Sequence, residues 1–133
     1  MVEKNTMQGC KITLTTSVDG KETQIVRAGS VSLSLSKAVV CYQEENAELT
    51  LIFEENGVKL ERRGDYALSL LLKQGEISEG MLGLGGSVGD IRVHAHKIHY
   101  SIGRDCLLAS MHYDLIFGEE RQEMQLRLYV KTA

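Results

Sequence analysis

The sequence has no proline and no tryptophan in its 133 residues, and aromatic side chains make up only 5% of it, as five Tyr and two Phe. Proline cannot donate to a β-ladder and is kept out of central strands, so its absence leaves strand pairing unobstructed along the whole chain. With so few rings, a core has to be assembled from Leu, Ile, Val, Ala and Met. Cysteine is scarce too: Cys10, Cys41 and Cys106 are odd in number, far apart and without a C-x-x-C pair. That excludes a disulfide framework and leads us to expect reduced thiols in a cytoplasmic protein. No sequence neighbour offers an obvious activating charge to any of the three. Cys41, inside Ala38-Val-Val-Cys-Tyr42, reads as a small hydrophobe.

Charge of one sign is also missing. Fifteen Lys+Arg against 18 Asp+Glu give a formal net charge of −3, whereas a nucleic-acid partner calls for clustered cations, so none is expected. No window approaches the ~20 apolar residues of a membrane-spanning helix, and Met1–Gln8 lacks the apolar segment of a signal peptide, so no membrane association is expected. An apolar share of 43% and a charged share of 25% are those of a globular chain. The length suits a single domain over residues 1–133.

What is present is alternation with a period of two. Ile12 and Leu14 alternate with threonines, and Val31, Leu33 and Leu35 with four serines. Further runs are Tyr66, Leu68, Leu70 and Leu72; then Leu107, Ala109, Met111, Tyr113, Leu115 and Phe117; then Leu126, Leu128 and Val130. Such runs put apolar side chains on one face, as a half-buried antiparallel sheet requires. Asp19-Gly20 and Asn56-Gly57 are hairpin-turn pairs, and Gln74-Gly75, Gly103-Arg104 and Gly118-Glu119 fall between other runs. The predicted strands lie at about 10–17, 22–29, 30–36, 38–43, 47–54, 58–64, 65–73, 76–82, 90–102, 106–117 and 123–131, some neighbours merging to leave about eight to ten. Gln43–Leu51 contains helix-favouring residues, but Asn46 and Thr50 interrupt a 3.6-residue period. The fold class predicted from this spacing is all-β, an antiparallel up-and-down barrel or a sandwich.

One run changes parity. Ile91, Val93 and Ala95 occupy one parity and Ile98, Tyr100 and Ile102 the other. A β-bulge near His96-Lys97 returns all six to one face.

From Glu61 onward the motifs are those of a known family. Arg62-x-Gly64, Gly75 after an alternating strand, Gly89-Asp-Ile-Arg-Val93, Tyr113-Asp-Leu-x-x-Gly118 and Leu126-x-Leu-x-Val130 together resemble the YwiB-like family of small bacterial proteins. The match covers the C-terminal half, and the N-terminal half agrees in strand rhythm. The resemblance implies a lipocalin-like (calycin-type) β-barrel and brings no catalytic residues with it. At Ala95 the family pattern leads one to expect threonine, so any role of that hydroxyl is absent here.

Four histidines form the most chemical-looking feature: His94, His96, His99 and His112. On a regular strand His94 and His96 share a face about 7 Å apart. If Gly103-Arg104 is a two-residue turn and the bulge lies at 96–97, His94 falls opposite His112, with Asp114 two residues further on. That arrangement of His94, His96, His112 and Asp114 would suit zinc on the outside of the sheet. The plainer reading is a solvated polar face. Gly80–Gly89 holds five glycines but lacks the Gly-Lys-Ser/Thr and following helix of a phosphate loop, so a loop at a barrel rim is predicted. In Arg62-Arg63-Gly64-Asp65 one arginine must point inward, where it needs a partner. The pairs Glu44-Glu45, Glu54-Glu55 and Glu119-Glu120 lie at predicted turns, where solvated carboxylates do no acid–base work. No cofactor motif and no nucleophile–base signature is present.

These features favour a non-catalytic barrel that takes a small, mostly apolar ligand inside, with Arg62, Tyr66, Tyr100 and Tyr113 as candidate contacts. An alternative is an interaction module acting as a homodimer through a strand face carrying Leu71, Leu108 and Ile116. A third is a metal-dependent enzyme built on the histidines.

Overall fold

The computed structural model describes residues 7–133. It consists of ten strands: β1 Gln8–Val18, β2 Lys21–Leu33, β3 Ala38–Glu44, β4 Ala47–Glu54, β5 Gly57–Gly64, β6 Tyr66–Leu72, β7 Ile77–Leu84, β8 Ser87–Ile102, β9 Cys106–Phe117 and β10 Glu120–Thr132. Each strand pairs antiparallel with the next, and β1 pairs with β10 to close the barrel. Of the barrel and the sandwich that the strand spacing allows, the fold is the up-and-down antiparallel barrel, as the family resemblance implies. The described residues contain no helix, and so none long and apolar enough to cross a membrane.

Sequence alternation translates directly into burial. Ile12 and Leu14 of β1, Leu107, Ala109, Met111, Tyr113 and Leu115 of β9, and Leu126, Leu128 and Val130 of β10 all face the interior. The parity change in β8 is a bulge. Ala95 pairs with Tyr113 and Lys97 with His112, leaving His96 as the extra residue. Ile91, Val93 and Ala95 before it, and Ile98, Tyr100 and Ile102 after it, all pack on the common core. The β6–β7 turn braces this bulge. Gly75 N–H donates to the Ala95 carbonyl at 2.8 Å, and Ala95 N–H donates to the Glu76 carbonyl at 3.2 Å. Ile98 N–H, displaced from the ladder, donates to Gln74 Oε1 at 2.9 Å.

The topology puts alternate turns at opposite ends. The β2–β3, β4–β5, β6–β7 and β8–β9 connections gather at one end, where Phe53, Val58, Leu72 and Leu107 are wholly buried. Phe53 packs on Tyr100 there, ring centroids 5.5 Å apart. The other five turns surround the second end.

Several expectations need correction. Segments 22–29 and 30–36 merge, as neighbours were expected to, into one strand, β2, but it stops at Leu33 rather than 36. Ser34 N–H and Oγ both donate to the Lys37 carbonyl and turn the chain, so Leu35 lies in the turn, fully exposed. The glycine-rich stretch is not a loop: β7 and β8 pair through Leu84 opposite Ser87, leaving only Gly85-Gly86 between them. Both glycines have positive φ (53° and 86°), the geometry a two-residue hairpin turn demands. The β8–β9 connection is longer than two residues. Ile102 pairs with Leu107, and Gly103 N–H donates to the Cys106 carbonyl at 2.8 Å, so the register beyond is displaced by two residues from the expected one.

Candidate functional site

The turn-rich end that carries the Gly85-Gly86 hairpin is open. Inward side chains there enclose a cavity of about 580 Å³. Nine leucines, with Val18, Ile91, Met124 and Phe117, make its wall mainly apolar, and Thr16, Tyr42, Glu44, Arg62, Tyr66, Tyr113 and Gln122 bring polar groups to it. Three of the four residues expected to contact a ligand, Arg62, Tyr66 and Tyr113, meet at this cavity. Tyr100 does not, because it packs on Phe53 at the closed end. Alternation showed that Tyr100 faces inward but carried no information about depth along the barrel.

Arg62 does point inward, its side chain only 11% exposed. The guanidinium pairs with Asp65 Oδ1 at 2.8 Å, donates to the Tyr66 carbonyl at 2.8 Å and stacks 3.7 Å from the Tyr66 ring centroid. The hydrogen bond from Arg62 holds the Asp65 carboxyl below the usual range. Burial pushes the Tyr113 hydroxyl up to about 12, and burial together with Glu44 raises that of Tyr42 above the ordinary tyrosine range. Both phenols are therefore neutral near pH 7 and can offer hydrogen bonds from the cavity wall. Tyr42, Glu44 and Gln122 were missed as lining residues, although the alternation of β3 (Ala38, Val40, Tyr42) already pointed Tyr42 inward.

Outside the barrel, β8, β9 and β10 bring the histidines together, in a different register from the one expected. His94 lies opposite Asp114, not His112, because of the longer β8–β9 turn; His112 lies opposite Lys97. His96 Nε2 is 2.9 Å from Asp114 Oδ2, to which Arg121 Nη1 also donates at 3.1 Å. The rings of His94 and His96 are 4.3 Å apart, and those of His96 and His112 4.9 Å. His112 Nε2 is 3.3 Å from Glu123 Oε2. The face is not simply solvated: Asp114 is 7% exposed, and His94 Nδ1 is buried without a partner. Burial alone would raise the Asp114 carboxyl, but hydrogen bonds from His96 and Arg121 keep it below its usual range. Glu123 and Arg121 were not singled out from sequence, yet the tight turn at Gly118-Glu119 sets Glu123 opposite Asp114. His99, outside this cluster, is exposed.

The outward Leu71, Leu108 and Ile116 do not make one exposed patch, since Ile116 is buried and Leu108 is 54% exposed. The three cysteines are unpaired, and burial raises the Cys10 thiol, the opposite of what a nucleophile needs.

A closed antiparallel barrel of ten strands with an internal cavity at one end is a lipocalin-like architecture. Residues 12–128 match the domain of unknown function DUF1934, and the chain belongs to that family. The fold is similar to that in the crystal structure of ywiB protein from Bacillus subtilis, with a TM-score of 0.81 and 13% sequence identity, covering 96% of this chain and 93% of that one. A search of curated proteins gave no match.

Proposed function

We propose that the barrel binds one small, mostly apolar molecule in the cavity at its open end. The observation that carries this reading is the cavity itself, about 580 Å³ and walled mainly by apolar side chains, within the about 300–1,000 Å³ typical of small-molecule sites. An eight-stranded barrel is just filled by its own side chains, and ten strands enclose a wider interior. Although Tyr42, Tyr66, Tyr113 and Phe117 stand on the wall among the leucines, that width is not filled at the open end. Arg62, Tyr42 and Tyr113 supply the few polar points that would orient a ligand carrying one polar or anionic end.

The test uses the intact chain and an apolar, anionic fluorophore such as anilinonaphthalene sulfonate. One saturable site is expected in the parent. Leu68→Trp, which places an indole in the cavity, is expected to abolish it while leaving the strand circular-dichroism signal intact. Absence of saturable binding, or equal binding by the Trp variant, overturns the reading.

A further inference from the structure

We propose that His94, His96 and Asp114 form a binding site for one divalent transition-metal ion, of the Zn²⁺ class, on the outer face of the barrel. This inference is independent of the cavity.

The site is built by the bulge. On an unbroken strand the backbone positions of His94 and His96 would stand about 7 Å apart; here His96 is the inserted residue of the bulge, and the two ring centroids lie 4.3 Å apart. Bulges re-aim side chains in this way, and they recur next to functional sites. This one is held from behind by Gly75, Glu76 and Gln74, which take up the backbone groups of Ala95 and Ile98. The two imidazoles are thus presented by a braced backbone.

Across the ladder, the pairing of His94 with Asp114 supplies the third donor. One ligand atom from each of His94, His96 and Asp114 lies within 4.8 Å of the others. Donors around a tetrahedral zinc stand about 3.3 Å apart, given bonds of about 2.0–2.1 Å, a distance that small ring rotations reach. Two imidazoles and one carboxylate are a borderline donor set, which suits Zn²⁺ and its neighbours and disfavours Mg²⁺ or Ca²⁺. Three protein ligands leave the fourth position to water or an outside molecule.

Two further observations favour an ion here. His94 Nδ1 is buried without a hydrogen-bond partner, a state that costs free energy and is rare in native proteins; coordination through Nδ1 itself removes the deficit. The cluster also has outer support: His112, its ring 4.9 Å from that of His96, is held by Glu123, and the Glu123 N–H is fixed by Asp19 Oδ1 at 2.9 Å. Arg121 competes for Asp114 Oδ2, but its side chain is 55% exposed and has room to swing into solvent.

The experiment uses the full chain without an affinity tag, stripped with chelator, then titrated with Zn²⁺ by calorimetry and with Co²⁺ by visible absorption. One equivalent should bind, and Co²⁺ should give the intense bands of four-coordination. His94→Ala and His96→Ala should each weaken binding by more than the about 10–100-fold that outer partners of a metal site contribute. His99→Ala should bind like the parent. Asp114→Asn provides a separate check on the carboxylate, and circular dichroism confirms folding of each variant. Failure of the parent to bind one equivalent, or parent-like affinity in a folded His94→Ala, His96→Ala double variant, overturns the proposal.

Discussion

Arg62 stacks its guanidinium 3.7 Å from the centroid of the Tyr66 ring while donating a 2.8 Å hydrogen bond to the carbonyl of the same residue. One side chain thereby ties the end of β5 to the start of β6 at the cavity mouth. Its third contact, with Asp65, closes the connection between the two strands.

Replacing Arg62 with Met keeps the aliphatic stem and removes all three polar contacts. A hydrogen bond from a charged group contributes about 1.5–3 kcal/mol and a partly desolvated cation–π contact about 0.5–2 kcal/mol. With desolvation of the cation offsetting part of this, we expect a net loss of about 1–3 kcal/mol in urea unfolding. Asp65→Asn should cost less, because Asp65 lies in solvent. Equal losses in the two variants would mean that neither the stack on Tyr66 nor the bond to its carbonyl contributes.

The closed end should behave as solid core. Phe53 is 0% exposed and packs on Tyr100, so Phe53→Ala should cost about 3–5 kcal/mol. Leu84, 55% exposed at the open rim, should tolerate Ala with a change of no more than about 0.5 kcal/mol. Chemical denaturation of the two variants side by side reads this polarity of the barrel.

The brace on the bulge rests on one side-chain oxygen. Gln74→Ala leaves the Ile98 N–H without its protein acceptor, and a loss of about 0.5–1.5 kcal/mol is expected. Amide hydrogen exchange at Ile98 should accelerate well beyond that at Met111, its ladder partner on β9. Unchanged protection at Ile98 would show that Gln74 does not hold the bulge.

Alkaline pH should loosen the open end. Tyr113 titrates at about 12 in the folded chain and near 10 when unfolded. Between these values the folded state holds a proton that the unfolded state has lost, so stability is complete below about pH 10 and falls as pH rises toward 12. The stability lost over this range is on the order of 3 kcal/mol. Tyr42, whose burial shifts it the same way, adds to the fall. Tyr113→Phe should flatten the profile of unfolding free energy against pH, and an unaltered slope would place the effect elsewhere.

The strand faces were legible because period-two alternation is the same physical constraint as one-sided burial. The β8 bulge was legible for the same reason: Val93 and Ile98 have opposite parity but both pack on the core. Turn length was harder to read. Gly103-Arg104 looks like a two-residue turn, but the Gly103 N–H to Cys106 carbonyl bond makes a wider one, and the two-residue error carried His94 from Asp114 to His112. The glycines of 80–89 suggested a loop because composition does not distinguish flexible backbone from a strand that simply lacks side chains. Only Gly85 and Gly86 of that stretch adopt the positive φ of a turn. Depth along the barrel, which separates Tyr100 from Tyr113, depends on how ten registers add up around the ring, and no local pattern encodes that sum.

The seam between β1 and β10 brings the two ends of the described chain together: Ala133 N–H donates to the Gly9 carbonyl at 3.0 Å, at the end of the barrel away from the cavity. A short peptide joining them would make the molecule a continuous ring, which could then be cut at Gly85-Gly86 beside the mouth. Such a permuted chain would keep all ten pairings while changing only the order in which they are synthesised, and a tether to a surface at Ala133 would leave the entrance facing outward.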